Sequence, residues 1–124
     1  MSFPDAEQAC KEEGATLAMP KTKELDLALR NLVETSGGNS GHWIGMRVIC
    51  TGIWFDSYEL KWVDGSPLGQ YKGWHSGKPA DIKYLRKGDS LCVQYLTSGS
   101  ATDPMWDDAD CTEKRRYICQ SSPA

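Results

Sequence analysis

Five cysteines spread along the chain constrain its fold more than any other feature of the sequence. They are Cys10, Cys50, Cys92, Cys111 and Cys119, and no two form the C-x-x-C pair of a zinc ribbon or a thioredoxin-type redox site. Widely spaced cysteines in a small chain rich in Trp and Gly favour disulfide bonds, which form in secreted and cell-surface proteins. Because five is an odd number, one thiol is left over or pairs outside the chain.

Length, charge and sequence patterns exclude several classes of protein. A chain of 124 residues fits one domain with one modest core. The net charge of -3 argues against general nucleic-acid binding, and no apolar run approaches the ~20 residues of a membrane span. The glycine-rich run at residues 37–41 does not form a G-x-S-x-G nucleophile motif, because His42 stands where the motif requires its last glycine. No phosphate-binding glycine pattern precedes a helix, so we expect no enzyme.

Helix signals come first along the chain, and this order predicts an α+β domain. Ser2, Pro4 and Asp5 are typical of a helix start, and the helix is predicted to run from Asp5 to Glu13 before Gly14 stops it. Thr22 is predicted to cap a second helix. The apolar residues of this second helix recur at helical spacing and are Leu25, Ala28, Leu29, Leu32 and Val33.

Strand-forming residues follow the helices. Strands are predicted over residues 42–48, 53–55, 60–63, 92–96 and 116–119, and Asp64-Gly65 predicts a turn. We name residues 66–91 the long loop, because this stretch is rich in Gly, Pro, Lys and Asp and has little periodicity. A structureless stretch of this length in a compact domain is typical of a functional or disordered segment.

Four motifs in chain order resemble those of the C-type lectin-like domain. They are Trp43-Ile44-Gly45-Met46, Trp62-Val63-Asp64-Gly65, Gly73-Trp74 with Gly77-Lys78-Pro79, and Trp106-Asp107-Asp108 with Cys111. Each motif alone is a weak signal of the family, but all four in this order, together with the cysteines, form a specific one. The resemblance covers nearly the whole chain, from about Phe3 to Cys119.

The resemblance implies a C-type lectin-like fold, in which two helices pack on small antiparallel sheets beside the long loop. It also implies two intrachain disulfides, Cys10–Cys119 and Cys92–Cys111. Residues 1–124 would form a single domain that lacks the family's first strand, so the edge of the closing strand would be open to another chain. Cys50 has no place in this frame, and it is either a buried thiol or the source of an intermolecular disulfide and a homodimer.

Sugar-binding members of this family hold Ca²⁺ at the long loop through several oxygen ligands, and that ligand set is degraded here. Lys78-Pro79-Ala80 stands where the family has Glu-Pro-Asn, and Ser90 replaces a Glu. Asp107 and Asp108 remain as candidate metal ligands, but two adjacent carboxylates are too few for a tight site. The Lys78 ammonium would either neutralise them or lie in solvent. Asp81 is the one match to the accessory calcium site.

The long loop is basic, although the protein as a whole is acidic. It has five Lys and Arg side chains against Asp81 and Asp89, and aromatic residues such as Trp74 and Tyr84 lie among them. The aromatic residues favour either core packing or a binding surface. A basic surface that carries aromatic side chains is typical of contact with acidic glycans or with protein partners.

We therefore predict a non-catalytic extracellular recognition module, of the kind found in innate immunity, that binds a glycan or protein and requires no cofactor. The predicted ligand-binding residues are Lys78, Asp81, Tyr84, Asp89, Asp107 and Asp108. One alternative is a calcium-dependent lectin in which Asp107 and Asp108 hold the metal with Asp81 or Asp89 and main-chain oxygens. Another is an assembly module that dimerises through Cys50 or the open strand edge.

Overall fold

The computed structural model describes residues 1–35, 41–50, 58–74, 90–96 and 105–121. The elements in chain order are α1 (Phe3–Glu12), β1 (Ala15–Leu17), α2 (Lys23–Thr35), β2 (His42–Cys50), β3 (Tyr58–Trp62), β4 (Ser90–Leu96), β5 (Met105–Ala109), β6 (Arg116–Tyr117) and β7 (Cys119–Ser121). The predicted strand at residues 53–55 lies outside the described residues. No helix in the described part of the chain is long and apolar enough to cross a membrane.

Both helices begin at the residues whose side chains can cap them. The Ser2 hydroxyl accepts a hydrogen bond from the Asp5 backbone N–H at 3.4 Å, and the Thr22 hydroxyl accepts one from the Leu25 N–H at 3.2 Å. Gly14 follows α1 with a φ of 73°, a conformation that glycine adopts without strain. The capping signals therefore predicted the starts of the two helices to within two residues.

The buried face of α2 differs from the predicted apolar stripe. Leu25 and Leu32 are 38% and 50% exposed, and Ala28 is also exposed. Val33 of the stripe is buried at 1% exposure and Leu29 packs against the core, but the most buried residue of the helix is Asp26, at 0%. The stripe was therefore wrong for Leu25, Ala28 and Leu32, because α2 turns the Asp26 carboxylate toward hydrogen-bond donors on distant parts of the chain.

The strands form two sheets. The larger sheet has the order β3-β2-β4-β5 with antiparallel neighbours, and β6 pairs with β2 in parallel. The smaller sheet pairs β1 with β7, and β1 was not predicted. The single strand predicted over residues 116–119 is interrupted at Ile118, so β6 joins one sheet and β7 joins the other. The Asp64-Gly65 turn is confirmed, and Gly65 has a φ of 91°.

Three tryptophans form the centre of the core. Trp43 and Trp106 are fully buried and Trp62 is 3% exposed. The rings of Trp62 and Trp106 meet edge to face with centroids 5.6 Å apart, and Phe3 meets Trp43 in the same way at 5.7 Å. The contact of Phe3 with Trp43 joins α1 to β2, and the contact of Trp62 with Trp106 joins β3 to β5 within the larger sheet.

Both predicted disulfides are present. Cys10 of α1 is bonded to Cys119 of β7, and Cys92 of β4 is bonded to Cys111, which lies two residues after β5. The first bond spans a sequence separation of 109 and the second spans 19. The second bond ties down the end of β5, the strand that carries the candidate metal ligands.

Candidate functional site

Asp107 and Asp108 lie in β5, the strand beside β4 in the larger sheet. The register places Asp107 opposite Gln94 and Asp108 opposite Val93. Because successive side chains of a strand point to opposite faces, the two carboxylates lie on different sides of the sheet. Both are nearly buried, at 7% and 4% exposure. The structure therefore places the two predicted ligands in adjacent positions without converging them on one point.

The Asp107 carboxylate belongs to a hydrogen-bonded chain of side chains. Gln94 donates from Nε2 to Asp107 Oδ2 at 3.1 Å, and Arg115 donates from Nε to Gln94 Oε1 at 3.0 Å. Arg115 also forms an ion pair with Glu113. Gly41 leaves room for these hydrogen-bonded side chains, because a Cβ at position 41 would lie 2.0 Å from Gln94 Oε1. Asp107 is thus oriented by neighbours within the described part of the fold.

The residues Gly73-Trp74, here called the loop entrance, lie directly against β5. The Gly73 carbonyl accepts a hydrogen bond from the Trp106 backbone N–H at 3.0 Å, and Trp74 forms a parallel bridge with Trp106. The two indole rings meet edge to face with centroids 5.4 Å apart. The other end of the long loop is Ser90, which is exposed and opens β4. The segment between the loop entrance and Ser90 therefore begins beside β5 and ends at the neighbouring strand β4.

Four of the predicted ligand-binding residues lie outside the described residues. They are Lys78, Asp81, Tyr84 and Asp89. All four fall between the loop entrance and Ser90 in sequence. The side chain of Cys50 also lies outside what the structure describes, so its role stays a prediction.

A buried carboxylate that the sequence analysis missed lies beneath the loop entrance. Asp26 of α2 is fully buried and receives hydrogen bonds from three other parts of the chain. Its Oδ1 accepts from the Tyr95 hydroxyl and from Trp106 Nε1 at 3.0 Å. Its Oδ2 accepts from the Tyr71 hydroxyl and forms an ion pair with Arg30 Nη2 at 2.7 Å. We call these five residues the Asp26 cluster.

Both tyrosine hydroxyls of the cluster are protonated at neutral pH, and their environment extends this protonation to higher pH. Burial, together with the Asp26 carboxylate, raises the pKa of Tyr71 to about 12 and also raises the pKa of Tyr95. Both therefore remain hydrogen-bond donors to Asp26. One signal in the sequence could have indicated the cluster: Asp26 lies on the same helical face as Leu29, Arg30 and Val33. An acidic residue at a core-facing position requires donors.

The described residues do not supply the ligand set that calcium needs. Among them, no three His, Cys, Asp or Glu side chains lie close enough together to hold a metal ion. Asp107 is hydrogen-bonded to Gln94 on one face of the sheet, and the position of the family's Glu is the exposed Ser90. Calcium in proteins usually takes about six to eight oxygen ligands, so the two carboxylates of β5 do not fit a tight site alone.

Comparisons with known proteins agree on one family. The family described as "Lectin C-type domain" matches residues 1–121. C-type lectin domain family 4 member M of Symphalangus syndactylus is 32% identical over 119 residues, which cover 94% of this chain and 24% of that protein. The chain spans about a quarter to two fifths of the length of such curated relatives.

Solved structures show the same fold. The carbohydrate-recognition domain of the mouse scavenger receptor C-type lectin is 27% identical with a TM-score of 0.71, over 99% of this chain and 83% of that one. SPL-2 from Saxidomus purpuratus, a Ca²⁺-independent C-type lectin, is 24% identical with a TM-score of 0.70, over 95% of this chain and 76% of that one. At that identity SPL-2 shows the fold alone. The predicted fold class and both disulfides are confirmed.

Proposed function

Because this chain belongs to the C-type lectin domain family, whose members are non-catalytic carbohydrate-binding modules, we propose that it recognises an acidic glycan outside the cell. The ligand is bound through the long loop and the Trp106–Asp108 segment of β5, without calcium at the principal site. Two disulfides suit a secreted or cell-surface protein, since such bonds persist in oxidising compartments.

The contact of the loop entrance with β5 carries this proposal. The bond from Trp106 N–H to the Gly73 carbonyl and the edge-to-face contact of Trp74 with Trp106 hold the loop entrance beside the two aspartates. The segment that follows, residues 75–89, has four Lys and Arg side chains against two Asp, with His75 and Tyr84 among them. A surface that combines positive charge with aromatic rings is suited to sulfated or carboxylated sugars.

Two observations support binding without calcium. The carboxylate of Asp107 is hydrogen-bonded to Gln94, and Asp108 points to the other face of the sheet. The sequence places an ammonium, on Lys78, where the family's sugar-binding members have a carboxylate. SPL-2 is a Ca²⁺-independent C-type lectin with this fold, so the fold itself does not require the metal.

A calcium-dependent lectin is the second candidate, and one observation favours it. Asp107 and Asp108 are both retained and nearly buried at the strand that the family uses for calcium. In that case Asp81 or Asp89 and main-chain oxygens of the loop would complete the metal's shell. Calorimetric titration with CaCl₂ tests this directly. We expect no binding of micromolar or better affinity, and a micromolar dissociation constant would establish the second candidate.

A glycan array distinguishes acidic from neutral ligands. The array would present sulfated, sialylated and neutral glycans to the protein, once with CaCl₂ and once with EDTA. We expect sulfated or sialylated glycans to bind equally in both conditions and to dissociate as salt is raised. Neutral sugars that bind only with CaCl₂ would contradict the proposal. No binding to any glycan would also contradict it and would favour a protein ligand.

A matched pair of variants assigns the binding to the loop. The double variant Lys83→Gln/Arg86→Gln removes two positive charges from the loop, and Lys11→Gln/Lys23→Gln removes two exposed charges from the helices. Because the net charge changes equally, only the position of the lost charges differs. We expect the loop variant to bind about tenfold more weakly and the helix variant to bind normally. Equal weakening would show that binding depends on net charge alone.

The assembly alternative depends on Cys50 or on the open strand edge. An intermolecular disulfide would give a dimer on non-reducing gels that the Cys50→Ser variant lacks. Native mass spectrometry with and without reductant gives the same answer for the whole protein and also detects a dimer held by a strand edge.

A further inference from the structure

We infer that Asp26 and Arg30 of α2 are positioning residues for ligand binding, because they hold the loop entrance against β5. They would set the affinity for a ligand without contacting it. The inference rests on the proposed function, in which the loop and β5 form the binding site. It extends that function to α2, the helix whose Asp26 carboxylate accepts a hydrogen bond from Trp106.

The hydrogen bonds of the Asp26 cluster lead directly to the loop entrance. Arg30 Nη2 donates both to Asp26 Oδ2 at 2.7 Å and to the Gly73 carbonyl at 3.3 Å. The same carbonyl accepts the Trp106 N–H. Tyr71, two residues before Gly73, donates its hydroxyl to Asp26. The backbone that starts the loop is therefore held from α2 at two points and from β5 at one.

Packing at Gly73 leaves little freedom for these groups to move separately. A Cβ at this position would lie 2.8 Å from both Arg30 Nη2 and Asp26 Oδ2, and 2.9 Å from Trp106 Cε2. The loop backbone thus lies in direct contact with the charged pair. Because there is no room for even a Cβ between Gly73 and these groups, we expect a displacement of the charged pair to move the loop entrance and Trp106 with it.

Core packing alone does not explain the position of the Arg30 side chain. Its Nε is buried and has no hydrogen-bond partner within the described structure. The guanidinium thus donates from Nη2 to the Gly73 carbonyl although its Nε–H donor is unsatisfied. A buried ion pair is seldom the most stabilising way to fill a core, since apolar side chains of similar volume stabilise as well or better. Such departures from local optimality are typical of residues that position a functional site.

Two conservative variants separate positioning from stability. Tyr71→Phe removes the hydroxyl that reaches Asp26 from the loop side, and Tyr95→Phe removes the hydroxyl that reaches the same carboxylate from β4. Each deletes one oxygen and one hydrogen bond. Only Tyr71 lies next to the loop entrance, so a positioning role affects the two variants differently, whereas a purely structural role affects both in proportion to lost stability.

Amide hydrogen exchange in the absence of ligand gives the first readout. In Tyr71→Phe and in Arg30→Gln we expect the Trp106 N–H, which donates to Gly73, to exchange about tenfold faster relative to the Val93 N–H in the sheet interior. In Tyr95→Phe this ratio should match the native protein. The inference is overturned if Tyr71→Phe leaves the ratio unchanged or if Tyr95→Phe raises it as much.

Affinity for a heparin-derived oligosaccharide gives the second readout. We expect the dissociation constant to rise about tenfold in Tyr71→Phe and Arg30→Gln, equivalent to about 1.4 kcal/mol, and to change little in Tyr95→Phe. Equal weakening in both tyrosine variants would overturn the inference. If the native protein binds neither this oligosaccharide nor any glycan of the array, the proposed function fails, and the exchange ratios alone then decide whether Asp26 and Arg30 position the loop entrance.

Discussion

Replacement of Asp26 by asparagine removes a buried negative charge while it keeps the shape of the side chain. The new amide oxygen can still accept from Tyr95 and Trp106. The amide nitrogen then faces two donors, the Tyr71 hydroxyl and Arg30 Nη2, where the native Oδ2 accepted both. Tyr71 can rotate its hydroxyl to accept, but the guanidinium of Arg30 can only donate. The variant therefore leaves the positive charge of Arg30 without its ion-pair partner.

The expected loss of stability follows from burial. The side chain of Asp26 is 0% exposed and that of Arg30 is 13% exposed, so water does not replace the lost partner. Removal of one member of a buried ion pair costs about 3–5 kcal/mol. Small domains unfold with only about 5–15 kcal/mol in total. Asp26→Asn should therefore lose a large fraction of the free energy of unfolding.

Urea denaturation followed by tryptophan fluorescence, without reductant, measures this loss. The control is Glu34→Gln, which removes the same charge from an exposed position of the same helix and should leave the midpoint nearly unchanged. A double variant, Asp26→Asn/Arg30→Met, should recover part of the loss because it also removes the orphaned charge. The reasoning is refuted if Asp26→Asn unfolds within about 1 kcal/mol of the native protein.

Three further predictions concern other parts of the fold. Alanine at both Cys10 and Cys119 should lower the free energy of unfolding by roughly 5 kcal/mol through loop-closure entropy over a separation of 109 residues, measured by urea denaturation. The hydrogen bond from Lys21 lowers the pKa of Asp64 from its ordinary 3.8 to about 2, so their pairing stabilises the fold above pH 3.8 and is lost as pH falls through about 2. Lys21→Met should accordingly lose about 0–1 kcal/mol at neutral pH, because both side chains are over a third exposed, and nothing at the lowest pH. Gly73→Ala should destabilise the protein by about 1–3 kcal/mol and shift its tryptophan fluorescence, since a Cβ there overlaps three neighbours.

Local signals in the sequence predicted the parts of the fold that depend on neighbouring residues. Ser2 and Thr22 were recognised as caps because their hydroxyls reach backbone N–H groups three residues away. The Asp64-Gly65 turn was recognised because few residues other than glycine tolerate a positive φ. The disulfide pairs could not be derived from spacing and were implied by family resemblance alone.

Contacts between distant residues account for what the sequence did not predict. Asp26 is buried because Tyr71, Tyr95 and Trp106 bring donors to it from 45 to 80 residues away. The position of Asp26 on the helical face of Leu29 and Val33 indicates a core-facing carboxylate, but it does not identify the residues that donate to it. Counting apolar residues alone selected Leu25 and Leu32 as core residues. The two aspartates lie on opposite faces of the sheet because residues 105–109 form a strand, which the sequence analysis did not predict.

The arrangement of the two candidate metal ligands also depends on the fold. The family resemblance named Asp107 and Asp108 as candidate ligands, because they follow Trp106 in the motif that carries calcium ligands in sugar-binding members. Strand geometry separates them, and Gln94 occupies one of them with a hydrogen bond. The four predicted ligand-binding residues of the long loop remain predictions that the experiments on ligand and calcium binding address.

The bond between Cys10 and Cys119 also determines how the domain responds to mechanical load. A pull applied between residues 1 and 121 passes from one cysteine to the other through the covalent bond. It can extend only the nine residues before Cys10 and the two after Cys119. The 109-residue separation between them, which would reach roughly 360 Å if extended, lies outside the path of the force. A domain tethered at its ends could thus keep its binding surface folded while it holds a ligand under tension.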